Sequence, residues 1–350
     1  MLLVDHPSTS FGIELKTAAA AFIVGIAVGI TGMGGGALMT PALIFLGVGN
    51  TSTIVTADLT AAAVSRSAGA AMHWRQGSPN LRLAGWLIVG SVPCAFLGPI
   101  VLPKVTGGAD LEKVLQLCIG FALLFAATTY AVRLYIELRR RARGVRFVER
   151  DPVIRPGPTI AVGAVGGLLV GITSVGSGSV IMIALLMLYP TLSAIKLVGT
   201  DLVQAVPLVL AAAISNVIEH GLDFGITIPL IIGSVPGTML GAQIAGRVPQ
   251  SYIRRGIVVV LTMSGLALLD KSGWAPLGSG DDQTHPVLIT LLGVLLVFAV
   301  PIVWGFLRRG VGLPMFGAPT VAEIEDGRGR AARRVEARAA EIGRQPPPRD

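Results

Sequence analysis

Gly29-Ile30-Thr31-Gly32-Met33-Gly34-Gly35-Gly36-Ala37-Leu38-Met39-Thr40 puts four glycines within five residues in the middle of a long apolar run. Each glycine inside a helix costs about 1 kcal/mol relative to alanine, so the helix is expected to break here. Inside a bilayer, broken backbone survives only where it lines a cavity or is buried in protein, because unsatisfied amides cost several kcal/mol each. A second stretch of the same kind follows at Gly171-Ile172-Thr173-Ser174-Val175-Gly176-Ser177-Gly178-Ser179. The two breaks read as two halves of one site.

The surroundings require a membrane. Of 350 residues, 52% are hydrophobic and 14% charged, and the mean hydropathy is +0.73. Soluble domains carry about 25% charged residues, and here the charges are clustered, leaving long apolar windows. The fold class is therefore all-α and polytopic in a membrane. The net charge of +8 does not point to nucleic acid. The arginines fall in two blocks, Arg133–Arg155 and Arg308–Arg349, as in cytoplasmic loops, and no basic residues interleave with aromatics. Cys94 and Cys118 lie in apolar spans and read as free thiols packed as small hydrophobes. No metal-ligand spacing, phosphate-binding loop or other cofactor motif occurs, so no cofactor is expected. Gly32-x-Gly34-x-x-Ala37 imitates a dinucleotide fingerprint but lacks the strand–helix–strand unit that gives it meaning. The N-terminal lead, with Asp5, His6 and Glu14, has no positive n-region, which argues against a cleaved signal peptide.

The pattern repeats. Val28-Gly29-Ile30-Thr31 recurs as Val170-Gly171-Ile172-Thr173. With one inserted residue, Asp58-Leu59 recurs as Asp201-Leu202 and Gly90-Ser91-Val92-Pro93 as Gly233-Ser234-Val235-Pro236. The chain then divides into a first transmembrane repeat (15–135), an Arg-rich cytoplasmic linker (136–158), a second repeat (159–270), an extra helix (286–307) and a disordered cytoplasmic tail (308–350). Each repeat reads as a broken helical hairpin plus three transmembrane helices. His73, Arg75 and Arg82 mark one connection in the first repeat, and Glu219, His220 and Asp223 mark its counterpart in the second. The positive-inside rule places these on opposite sides, so the repeats are expected to be inverted, with binding at the midplane breaks.

The candidate chemistry follows from the breaks. A half-helix starting at Gly34–Ala37, or at Gly176–Ser179, presents free amides and a partial positive charge, which suits an anion. The candidate binding residues are Thr31, Gly34, Gly35, Gly36, Thr173, Ser174, Gly176, Ser177 and Ser179. Arg66 joins them because Asp58, Ala62, Arg66, Gly69 and His73 form one helical stripe. Tight helix crossing alone would also explain some glycines, since Gly163, Gly167 and Gly171 follow small-xxx-small spacing. Asp58 and Asp201 are carboxylates inside apolar helices and are candidates for proton coupling; the alternative is an N-terminal helix cap. Gln204, one turn after Asp201, reads either as a cavity residue or as an interhelical hydrogen bond.

Gly29-Ile30-Thr31-Gly32-Met33-Gly34-Gly35-Gly36 followed by Pro41, with Thr56-Ala57-Asp58, Gly199-Thr200-Asp201 and the repeated Gly-Ser-Val-Pro, resembles the TauE/SafE sulfite-exporter family over about residues 15–270. That resemblance implies a multi-pass transporter of the bacterial inner membrane, moving sulfite, a sulfonate or a related sulfur-containing anion. The residues themselves specify only a small anion. Ser174, Ser177 and Ser179 in the second break depart from the first and leave substrate preference open. The expected partners are the small anion, protons and the lipid bilayer, with a homo-oligomer left open. Two other readings compete: an anion channel, and an intramembrane serine hydrolase built on Ser177 and His220.

Overall fold

The computed structural model describes residues 10–31, 35–74, 79–107, 110–142, 153–176, 180–189, 192, 194–244, 250–273 and 286–310. Among these the chain is all helical: α1 (Ser10–Thr31), α2 (Gly36–Leu46), α3 (Thr51–Trp74), α4 (Leu81–Thr106), α5 (Leu111–Ala142), α6 (Pro156–Thr173), α7 (Met182–Leu188), α8 (Ala194–His220), α9 (Phe224–Ile244), α10 (Gln250–Lys271) and α11 (Pro286–Gly310). Six of them (α1, α4, α5, α6, α8 and α9) contain stretches long and apolar enough to cross a membrane.

Local chemistry sets the boundaries. The Asn80 side chain accepts the Leu83 N–H at 3.1 Å and starts α4, which Gly107 ends in the left-handed region at φ 58°. Pro156 opens α6 at a position where its missing N–H costs nothing. Gly47, at φ 65°, closes α2 with its N–H on the Ile44 carbonyl. Pro93 does not end α4, which continues through Pro93, Pro99 and Pro103. The α5 helix runs on to Ala142, into the stretch read as linker. Residues 143–152 of that linker, and 311–350 of the tail, lie outside the described residues.

The tightest packing joins the two halves crosswise, α1 with α9 and α4 with α6. Glycine makes this approach feasible. A methyl group at Gly29 would lie 2.2 Å from the Thr238 carbonyl oxygen, and one at Gly171 would lie 2.3 Å from that of Ala95. Without water to drive helices together in a bilayer, close backbone packing of this kind holds them. The contacts obey the sequence repeat. Gly25 lies on Ser234 and Gly167 on Ser91; Gly90 lies on Ile160 and Gly233 on Ala18. Shifting one contact of each pair by the repeat spacing gives the other. Partner numbers rise together along α1 and α9, from Ala18 with Gly233 to Ile26 with Gly241, so these helices run parallel. The α4 and α8 helices also run parallel, since Asn80 meets Thr200, Ser91 meets Gln204 and Phe96 meets Ser215.

A buried core of Leu43, Ile54, Leu59, Leu87, Leu123, Ile181, Leu185 and Leu208 fills the centre. Ile23, Val105, Met187, Ile232, Leu291 and Phe298 face outward, as a lipid-bathed surface requires. Two polar clamps fix helix ends at the periphery. At the start of α5 the Glu112 carboxylate accepts the Thr51 N–H at 3.1 and 3.0 Å, together with the Thr51 hydroxyl, while Gln116 donates to it at 2.9 Å. This puts negative charge at the N-terminus of α3. In the second half the buried Tyr189 hydroxyl takes the Arg155 N–H at 3.0 Å and pairs with Thr159 at 2.6 Å.

Candidate functional site

Both breaks are present, and they touch. The first helix ends at Thr31 and α2 begins at Gly36; α6 ends at Thr173. Ser174 follows in the left-handed region at φ 59°, and Gly176 has φ 124°. The Ser174 N–H donates to the Val170 carbonyl at 2.8 Å and closes the turn. No other non-glycine among the described residues has a positive φ. Gly36 packs directly on this turn: a Cβ there would sit 1.9 Å from the Ser174 carbonyl oxygen and 2.6 Å from its Oγ. The start of the first hairpin's return helix therefore abuts the second hairpin's break.

Asp58 fastens the junction. It stands about two turns into α3, which starts at Thr51, and is almost wholly buried. Its Oδ2 accepts the Thr40 hydroxyl of α2 at 2.5 Å and the Ser174 hydroxyl at 2.9 Å. One carboxylate oxygen thus ties α3, α2 and the second break together. This position rules out the helix-cap reading, because the first-turn amides of α3 are out of its reach and Glu112 serves Thr51 instead. Asp201 likewise stands about two turns after Ala194, the first residue of α8. Its Oδ1 accepts the Gln204 amide at 3.0 Å, and the Gln204 carbonyl oxygen faces the Ser91 hydroxyl of α4 at 3.5 Å. Gln204 thus makes the interhelical contact that was one of its two readings, to Ser91 of α4, while also bonding Asp201. The Arg66 guanidinium of α3 lies within electrostatic reach of both carboxylates.

Several sequence candidates fall differently from the expected pattern. The Thr173 hydroxyl donates to the Leu169 carbonyl at 2.6 Å and accepts the Val175 N–H at 3.1 Å, so it stabilises the turn rather than projecting a donor. The Ser174 hydroxyl proton is committed to Asp58. Gly35 is partly exposed, and a Cβ there would meet no atom of the described residues within 4 Å. The second return helix is only Met182–Leu188, entered through helical turns at Val180 and Ile181, and it offers much less of an N-terminus than α2. Gly34, Ser177 and Ser179 lie outside the described residues, as does the side chain of Thr31. Among the described residues no three His, Cys, Asp or Glu side chains gather as a metal site, and Cys94 and Cys118 are free thiols.

Thr40 was not singled out by the sequence. Its signal is a polar residue one helical turn after Gly36 in an otherwise apolar arm, which places both on one face. Ser91 and Ser234 stood out as repeat markers, not as polar contacts.

Residues 17–268 match the model of the family described as "Sulfite exporter TauE/SafE". Among curated relatives, "Probable membrane transporter protein YjnA" of Bacillus subtilis (strain 168) is 36% identical over 250 residues, covering 70% of this chain and 96% of its own. "Probable membrane transporter protein YdhB" of the same organism is 26% identical over 248 residues, 71% of this chain and 97% of its own. A "Probable membrane transporter protein" of Xylella fastidiosa (strain 9a5c) is 30% identical over 231 residues, 64% of this chain and 82% of its own. No solved structure matches the chain at a significant level. The family match spans both breaks, both buried aspartates and all the crosswise helix pairs. The chain is a multi-pass membrane transporter rather than an enzyme, and it belongs to the TauE/SafE sulfite exporter family.

Proposed function

We propose that this protein is a secondary transporter that carries a small anion (sulfite, a sulfonate or a related sulfur oxyanion) across a bacterial inner membrane, binding it between the two helix breaks. The observation that carries this reading is Asp58 Oδ2, shared by Thr40 of the first hairpin and Ser174 of the second break. The amides at the start of α2 supply positive potential for an oxyanion, and Gly35 beside them is partly exposed. An ionised Asp58 beside the anion would repel it in a desolvated site, so anion entry is coupled to protonation of Asp58. Arg66 balances whichever of Asp58 and Asp201 carries charge.

Opposed repeats supply the movement. The α1 helix runs parallel to α9, and α4 runs parallel to both α6 and α8. The short connection 221–223 joins α8 to α9 and turns the chain back. These directions support an α6 opposed to α1, the inverted arrangement expected from the loop charges. Rocking of one repeat on the other would then expose the central junction to each side in turn.

Sulfite, thiosulfate, sulfoacetate, taurine and simple carboxylates, added in turn to purified protein, test the substrate class by thermal shift. A sulfur oxyanion at 100 times its Kd should stabilise the fold by about 2.7 kcal/mol, with carboxylates weaker. A shift confined to carboxylates would overturn the sulfur assignment. Uptake that rises without saturation would favour the channel reading instead.

A further inference from the structure

Ser234 is buried to more than nine-tenths, and its hydroxyl is the buried side-chain polar atom that lacks any hydrogen-bond partner among the described residues. Its neighbours in kind do not behave this way. Thr227, Thr262, Thr159 and Thr173 each return a hydroxyl to the carbonyl one turn earlier. Leaving a hydroxyl unpaired in an apolar interior costs about 1–3 kcal/mol, so such a group calls for a functional account.

The repeat supplies one. Ser234 is the second-repeat counterpart of Ser91, within the shared Gly-Ser-Val-Pro. Both lie where a helix crosses its partner from the other half, Ser91 against Gly167 and Ser234 against Gly25. Ser91 faces the Gln204 amide, which in turn holds Asp201. The counterpart of Gln204 is Ala61, which ends at Cβ. On the first-repeat side, therefore, the chain of contacts from serine through amide to aspartate is missing its middle member. Asp58 takes its hydrogen bonds from Thr40 and Ser174 instead, and Ser234 is left with none.

We propose that Ser234 forms a one-sided subsite of the transport path, in which its hydroxyl donates to an oxygen of the bound anion. A substrate oxygen there stands where the Gln204 carbonyl stands in the other half. This rests on the transporter reading above and adds a residue and a direction to it: the substrate lies toward α3 and α9, not symmetrically between the repeats. Gln at position 61 would supply the amide that Ser91 already meets in Gln204.

The test is chemical access, which needs no knowledge of the substrate. In a chain with Cys94→Ala and Cys118→Ala, Ser234→Cys is treated in proteoliposomes with 2-sulfonatoethyl methanethiosulfonate, a small water-borne sulfonate. Asp110→Cys, at an exposed position, calibrates full labelling. Ser234→Cys should label, and adding Ala61→Gln should slow that labelling at least about tenfold while detergent-purified protein keeps its melting temperature. No labelling of Ser234→Cys, or labelling indifferent to Ala61→Gln, overturns the subsite. Failure of the wider reading looks different: Ser234→Cys labels as expected, yet replacing Asp58 leaves anion uptake untouched.

Discussion

Asp58→Asn should abolish pH-driven anion uptake in proteoliposomes while the protein still inserts, folds and exchanges anion for anion. The amide oxygen of Asn can still accept from Thr40 and Ser174, so the junction between α2 and the second break survives. What the substitution removes is the proton. On the proposed mechanism, anion and ionised Asp58 repel one another in a desolvated site, so protonation and anion binding favour each other reciprocally. Anion affinity should therefore rise as pH falls, by at most about tenfold per pH unit for one linked proton. In Asp58→Asn the affinity should be flat with pH, and the gradient should no longer drive accumulation. A sulfonate probe is the right choice, because its charge is constant across this range. Asp58→Ala should behave differently: it strands two buried hydroxyls, at about 1–3 kcal/mol each, and should lower the melting temperature as well. Asp201→Asn is expected to lose pH-driven uptake too. Unchanged coupling in both Asn variants would reduce the two carboxylates to structural parts.

Gly36→Val should cut transport at least about a hundredfold. The first atom of any side chain at this position would lie 1.9 Å from the Ser174 carbonyl oxygen. That obstacle is backbone, held by the turn that Ser174 makes at φ 59° and by its N–H bond to Val170, and it cannot swing away. Either α2 or the second break must move, and Thr40 and Ser174 can then no longer both reach Asp58. Overpacking costs typically about 1–3 kcal/mol, and a loss of about 2.7 kcal/mol at the site corresponds to a hundredfold in rate. Gly85→Ala in α4 is the comparison, because a Cβ there meets nothing within 4 Å. Proteoliposome uptake and a monodisperse profile in detergent, read together, separate lost function from lost folding. Near-normal uptake by Gly36→Val would mean that the two breaks are not in working contact.

Much of this arrangement was legible in the residues. The glycine runs announced both interruptions, because glycine density opposes helix wherever it falls. The pair Asp58 and Asp201 was legible because an isolated carboxylate has few reasons to sit in an apolar helix. The repeat was legible in Gly-Ser-Val-Pro and its offset. What escaped was tertiary. Nothing local says that α1 packs on α9 rather than on its own repeat, or that Gly29 meets Thr238 from the other half of the chain. Nothing local says that Ser174, among several serines, reaches Asp58 across so long a stretch of sequence. Asp58 looked close enough to a helix start to be a cap, until Thr51 placed that start two turns earlier. The second break carries serines where the first has glycines, and its return helix α7 covers only Met182–Leu188 against Gly36–Leu46 for α2, which the sequence did not announce.

The central claim is that the two broken hairpins meet at Asp58 and that transport requires them to part and rejoin. Thr40→Cys with Ser174→Cys, in a chain lacking Cys94 and Cys118, tests it most directly, since both hydroxyls now bond one carboxylate oxygen, which brings the two side chains together. Oxidation in the membrane should join positions 40 and 174 and stop sulfonate uptake, and reduction should restore it. No cross-link, or a cross-linked protein that transports at its reduced rate, would contradict the account.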